Sequence, residues 1–198
     1  MDTVVPRVMV LAGPNGAGKT TSSRSLLVDA LKTLTFVNAD VIAQGMSGFD
    51  PESVAMQAGR IMLKRLHELA DARASFAFET TLSAKHYAGW LKKLKESGYA
   101  VELYFFWLAN ADVAVARVAL RVQRGGHHVP EETIRRRYRG SAQNFLKLYK
   151  PICTKWELYD NSHSNNPILA AFGDDQGHET ILNHEFWSKI KEEGESNA

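Results

Sequence analysis

Gly13-Pro14-Asn15-Gly16-Ala17-Gly18-Lys19-Thr20 has the spacing GxxxxGK[ST], and each residue type in it has a task toward a polyphosphate. The glycines let backbone N–H groups turn inward around phosphate oxygens, and the helix that follows points its positive end at the same anion. Lys19 has the reach for β- and γ-phosphates, and the Thr20 hydroxyl is an oxygen ligand for Mg²⁺. Gly13 to Thr20, with Thr21 next to it, form the expected nucleotide-binding loop. They imply ATP or GTP as phosphoryl donor, with Mg²⁺.

Phosphoryl transfer also needs an acceptor hydroxyl held by a carboxylate and cations that take up charge on the moving group. Asp40 is the candidate carboxylate. Its structural alternative is a cap on the turn Val41-Ile42-Ala43. Glu79 has three readings: substrate ligand together with Thr80, holder of Mg²⁺ through water, or helix cap of Glu79-Thr80-Thr81. From Arg117 to Arg139 there are seven arginines against two acids, Glu131 and Glu132. Arg117, Arg121 and Arg124 share one helical face. Arg135, Arg136, Arg137 and Arg139 lie beyond Gly125-Gly126. Two basic helices joined by a glycine loop, over about residues 117–150, suggest a lid over the nucleotide, with Arg121 and Arg137 acting on transferring charge. A solvated basic face and a nucleic-acid surface are the competing readings.

These side chains need elements to position them. Val8-Met9-Val10-Leu11-Ala12 reads as a buried parallel strand, and Leu26, Leu27, Ala30 and Leu31 place a helix over about Gly18 to Lys32. Thr35-Phe36-Val37-Asn38 is a second strand, ending at Ala39-Asp40. Asp50-Pro51-Glu52 opens a helix by cap, first-turn proline and acid, with Ala58, Ile61, Met62, Leu66 and Leu69 on its buried face. Ser75-Phe76-Ala77-Phe78 is a third strand, ending at Glu79. A helix with Tyr87, Trp90, Leu91 and Leu94 on one face ends at Gly98.

Val101 to Leu108 is an aromatic-rich strand, and Asn110 caps the next helix, to about Arg124. Pro130 opens another helix with Ile134, Tyr138, Ala142, Phe145 and Tyr149 buried. Lys155–Tyr159 and Ile168–Phe172 are late strands. A final helix covers about Thr180 to Lys191, with a frayed tail from about Glu192. Alternating strands and helices behind a P-loop predict an α/β P-loop NTPase fold: a mainly parallel sheet of five to six strands, flanked by helices, in a single domain. Ligands then sit at the carboxyl ends of the strands, where the loop, Asp40 and Glu79 all fall.

Composition narrows the class. The chain has 198 residues and a net charge of +2, too little by itself to imply a nucleic-acid or membrane partner. No apolar run is long enough for a bilayer, and Asp2 stands where a signal peptide would be basic, so a cytoplasmic protein is expected. The single cysteine, Cys153, excludes an internal disulfide and reads as a buried thiol. His127-His128 lacks the partners of a metal site, and His178 and His184 are too far apart to share a helical face.

Gly13 to Thr20, Asn38-Ala39-Asp40, Phe78-Glu79-Thr80-Thr81-Leu82, Gly125-Gly126-His127-His128-Val129-Pro130 and Arg135-Arg136-Arg137-Tyr138 occur in this order. In this the chain resembles short, chromosomal-type members of the zeta toxin family of P-loop kinases, from about Val8 to Asn161. Short members of this kind are often called predicted ABC-type ATPases. This chain, however, has no LSGGQ-like signature and no apolar strand ending in Asp-Glu. The resemblance implies that Asp40 is the general base, that Glu79 binds substrate, and that Arg121, Arg137 and then Arg124 bind ATP phosphates. The better-known members phosphorylate the 3′-hydroxyl of the sugar in UDP-N-acetylglucosamine and are held in check by an antitoxin, which here would be a separate protein. The chain is shorter than those toxins, and no full sugar-nucleotide pocket is legible from Phe49 to Ala74. A small-molecule hydroxyl acceptor is therefore expected. A nucleotide-dependent switch without an acceptor and a nucleic-acid-binding ATPase are the alternatives.

Overall fold

The computed structural model describes residues 5–24, 35–126, 128–163 and 166–195. Four parallel strands set the frame of the sheet around the phosphate loop. They are β1 (Arg7–Ala12), β2 (Phe36–Val37), β3 (Phe76–Thr80) and β4 (Ala100–Trp107). With β5 (Lys155–Asp160), β6 (Ile168–Asp174) and β7 (Glu179–Ile181), they make a seven-stranded sheet of order β2-β3-β1-β4-β5-β6-β7. β2 to β5 pair in parallel through β3, β1 and β4, whereas β6 and β7 are antiparallel. The expected α/β fold is therefore present, with one more strand than the five to six read from the sequence. β7 was the strand missed, because Glu179-Thr180-Ile181 is short and polar and merges with the helix expected from Thr180. That helix starts later: α7 is His184–Glu195.

The helices between the strands are α1 (Lys19–Arg24), α2 (Ala39–Met46), α3 (Ala55–Asp71), α4 (His86–Glu96), α5 (Ala111–Gln123) and α6 (Glu131–Asn144). The expected extension of the first helix, with Leu26, Leu27, Ala30 and Leu31, lies outside the described residues. Asn110 caps α5 as expected, accepting from the Val113 amide. α3 begins at Ala55 rather than at Asp50: the Asp50 side chain closes a separate turn onto the Ser53 amide. Ala58, Met62, Leu66 and Leu69 form its buried stripe, but Ile61 stays 41% exposed on the flank of that stripe. The tail expected to fray from Glu192 is helical to Glu195, because α7 packs on α6, with Gly194 buried.

One face of the sheet is strongly aromatic. Phe105 stacks on Phe145 at 4.5 Å, and Trp107 stacks on Tyr138 at 4.8 Å. Phe78 meets Tyr87, and Trp156 stacks on Trp187. Large rings bury about 150–250 Å² each, so this layer carries much of the apolar driving force. It also anchors the second arginine-rich helix. Ile134, Tyr138, Ala142, Phe145 and Tyr149 are all buried as expected, so α6 and the π-helical turn after it (Phe145–Tyr149) are anchored on the sheet.

Candidate active site

Register brings the candidate residues together. Ala12 is level with Thr80, and Val37 with Phe78, so the chain leaves β1 and β2 beside Glu79 near the end of β3. The loop from Gly13 to Gly18 is locked from three sides. The Gly13 amide donates to the Thr80 carbonyl at 3.3 Å. Asn161, 1% exposed at the end of β5, donates from Nδ2 to the Ala17 carbonyl at 2.8 Å. Arg137 of α6 donates to the Asn15 side chain at 3.1 Å. Two glycines permit this close packing. A Cβ on Gly13 (φ +147) would lie 2.1 Å from the Phe106 carbonyl oxygen, and one on Gly18 (φ +77) would lie 2.4 Å from Asn161 Nδ2. Both positions are glycine-favouring by backbone and by space.

Lys19 is 7% exposed. Its ammonium donates to the Gly13 and Pro14 carbonyls at 2.8 and 3.0 Å and lies 3.7 Å from Glu79 Oε1. Burial pushes its pKa down; the charges of Glu79 and Asp40 oppose this, and those of Arg121 and Arg137 add to it. Arg137 is likewise lowered by burial and by Arg136, with Asp40 opposing. Four charged side chains from four other elements thus act on Lys19.

Glu79 is the junction. Its Oε2 accepts from Thr20 Oγ1 at 2.9 Å and from Asn38 Nδ2 at 2.8 Å. Thr20 and Glu79 together offer hard oxygen donors at the end of the loop, a donor set that suits Mg²⁺. Glu79 is not a helix cap: the next helix, α4, begins only at His86. Asp40 stands in the first turn of α2 and is exposed. It does not cap that helix, because Asn38 does, with Oδ1 accepting from the Asp40 and Val41 amides at 2.8 and 3.3 Å. Asp40, expected at the end of the second strand, thus stands at a strand-to-helix junction.

The other expected residues are dispersed around this core. Thr21 is exposed on α1. The Thr80 hydroxyl oxygen accepts from the Leu82 amide, which commits it to its own turn. Arg121 is half-buried and acts on Lys19 through its charge, whereas Arg124 is exposed at the C-terminal cap of α5. Arg117 donates to the Ser162 carbonyl, and Arg135 pairs with Asp112 and Glu131, so both serve structure. His127 lies outside the described residues. Among the described residues no group of three or more His, Cys, Asp or Glu could hold a metal, and no helix is long and apolar enough to cross a membrane. Cys153 is buried, and burial raises its thiol pKa.

Sequence reasoning gave no role to Asn38 or Asn144. Asn144 donates to the Leu82 and Ser83 carbonyls and holds the loop after β3, where Leu82 sits at φ +60. Only the position of Asn38, at a strand end before an acidic residue, is a cap signal in the sequence.

A P-loop after β1, two acids at the ends of β2 and β3, and basic helices behind them define a kinase-like P-loop enzyme. The zeta toxin family model matches residues 2–165, and the chain belongs to this family. An uncharacterized protein of Haemophilus influenzae is 30% identical over 132 residues, covering 67% of this chain and 92% of that protein. Among solved structures, the AvrRxo1-ORF1:AvrRxo1-ORF2 complex with sulphate ions is similar at a TM-score of 0.76 and 19% identity, covering 100% of this chain and 67% of the matched chain. The same complex solved with ATP gives a TM-score of 0.74 at 19% identity, again over 100% of this chain and 67% of the other. The PezAT chromosomal toxin–antitoxin system of Streptococcus pneumoniae gives 0.66 at 16% identity, covering 100% of this chain and 81% of the other. At such identities these structures speak for the fold.

Proposed function

We propose that this chain is an ATP-dependent phosphotransferase that moves the γ-phosphoryl group to a hydroxyl of a small molecule, with a nucleotide sugar such as UDP-N-acetylglucosamine as the first acceptor to test. The observation that carries the reading is the meeting of Lys19, Thr20 and Glu79 at the phosphate loop, with the Asp40 charge acting on the same site. The loop amides and Lys19 hold the phosphates of ATP. Asp40, exposed at the rim, accepts the proton of the acceptor hydroxyl as its oxygen attacks the γ-phosphorus and the bond to the β–γ bridging oxygen breaks to release ADP. Arg137 and Arg121 offset the charge that spreads over the transferring group. Glu79 holds the acceptor, or would hold the water shell of a bound metal ion. Mg²⁺ bound through Thr20 would neutralise charge on the β- and γ-oxygens.

An adenine nucleotide as donor is supported by the likeness to a complex solved with ATP, and a separate antitoxin polypeptide as partner by the likeness to PezAT. Both belong to the proposal.

The test is ³¹P NMR of the protein with ATP, Mg²⁺ and a panel of nucleotide sugars, with Asp40→Asn in parallel. A new phosphomonoester signal is expected, formed at least about 100-fold more slowly by the variant, the scale of general-base catalysis. Equal rates in the two proteins would overturn the role of Asp40. ADP and free phosphate alone, across a metabolite extract as well as the panel, would favour an ATPase switch instead.

A further inference from the structure

Asn38 stands outside the loop and carries no charge, yet it touches both proposed acids. The residue is 6% exposed, and its side chain is bonded at both ends. Oδ1 accepts from two amides of the first turn of α2, one of them that of Asp40, while Nδ2 donates to Glu79 Oε2. Ser, Thr and Asp also cap helices well, but Asp has no donor for a second carboxylate. The hydroxyls of Ser and Thr are shorter and would have to serve both sides from one oxygen. Asparagine separates acceptor and donor on the two arms of a planar amide, which is what the spacing between α2 and β3 uses.

The tether has an electrostatic consequence. Lys19 Nζ and Glu79 Oε1 are 3.7 Å apart, longer than a hydrogen-bonded ion pair, and both side chains are largely out of water. Asn38 and Thr20 together hold the Glu79 carboxylate by its other oxygen. Without the Asn38 arm, the nearest strong donor for a freed Glu79 oxygen is the Lys19 ammonium. Closing that gap would turn Lys19 away from a phosphate.

We infer that Asn38 is a positioning residue: it fixes Asp40 and Glu79 relative to each other and keeps Glu79 from capturing Lys19. The inference rests on the phosphotransferase reading above. It assigns Asn38 no contact with substrate.

The test separates cap from tether. Asn38→Ser and Asn38→Thr keep a good helix cap but lose the amide donor, whereas Asn38→Ala loses both. Melting temperatures of the Ser and Thr variants should fall less than that of Asn38→Ala, which loses the cap as well. Their kcat should nevertheless fall about 10-fold or more, the scale of a lost hydrogen bond to a charged group, while the KM for ATP moves less than about 3-fold. In a Glu79→Gln background the further loss from Asn38→Ser should shrink toward nothing, because the effect runs through Glu79. Side-chain amide NMR gives a readout apart from turnover: the Asn38 NH₂ protons should shift upfield when Glu79→Gln removes their carboxylate acceptor.

Ser and Thr variants with parental kcat, or an Asn38 amide signal indifferent to Glu79→Gln, would overturn the inference while leaving the kinase reading intact. A parent protein without transferase activity toward any acceptor would overturn both.

Discussion

Gly13→Ala tests how tightly the phosphate loop is drawn into the sheet. The added Cβ would lie 2.1 Å from the Phe106 carbonyl oxygen, 3.1 Å from its carbon and 3.3 Å from the Ala17 Cβ. The first contact is more than 1 Å too short, and the atom it meets is backbone of β4, so no side-chain rotation relieves it. Ala12 is paired with Phe105 one residue earlier, which ties the loop to that strand. Overpacking of this kind costs about 1–3 kcal/mol. The φ of +147° adds about 1–3 kcal/mol of backbone strain for an L side chain. The sum, about 2–6 kcal/mol, corresponds to a fall in Tm of roughly 5–20 °C for a chain of this size. Thermal melting by circular dichroism measures it, with ATP titration alongside, because the same shift displaces the loop amides. Gly59→Ala is the control. It lies within α3 with nothing within 4 Å of its Cβ, and should raise stability by about 0.5–1 kcal/mol. A Gly13→Ala protein that melts within about 2 °C of the parent and binds ATP equally well would refute the argument from close approach.

Two further substitutions probe the turn behind the site and the far end of the sheet. Asn144→Ala leaves the Leu82 and Ser83 carbonyls without their side-chain donor. It should cost about 1–3 kcal/mol and speed amide exchange in residues 81–85, measured by hydrogen–deuterium exchange; unchanged exchange would show that the turn holds Leu82 at φ +60 unaided. At the opposite end of the sheet, burial favours the neutral form of Glu102, but hydrogen bonds from Arg7 and Tyr104 outweigh it and hold its pKa below the ordinary 4.5. A folded pKa below the unfolded one means that this stability is complete above about pH 4.5 and is lost as pH falls through the folded value. Glu102→Gln should therefore cost about 1–3 kcal/mol at pH 7 and flatten the acid limb of Tm against pH. A parallel acid limb in the two proteins would contradict this.

The amino-acid sequence alone determined the phosphate loop, because GxxxxGK[ST] between a buried strand and a helix is a local pattern with few alternative uses. It also determined the buried stripes of α4 and α6 and the alternation of strands and helices along the chain, because helical and strand periodicities are written residue by residue. It named Asp40 and Glu79 by one topological rule, that ligands gather at the carboxyl ends of parallel strands. It could not place β7, whose three residues carry too little pattern. It read Asp50-Pro51-Glu52 as a helix start, although that local signal closes only a turn before α3.

What only the tertiary structure decided is which polar groups face each other. Asn38 is 41 residues from Glu79, Asn161 is 144 from Ala17, and Arg137 is 122 from Asn15. No spacing rule spans such separations; strand register and the anchoring of α6 on Trp107 and Phe105 bring these groups within 3.1 Å. The same packing sorts the arginines. Arg135 and Arg117 are spent on structural partners, and Arg137 and Arg121 act on the phosphate loop. Sequence offers equal charges along two helices; burial and distance, which set the strength of each charge, exist only in the folded chain.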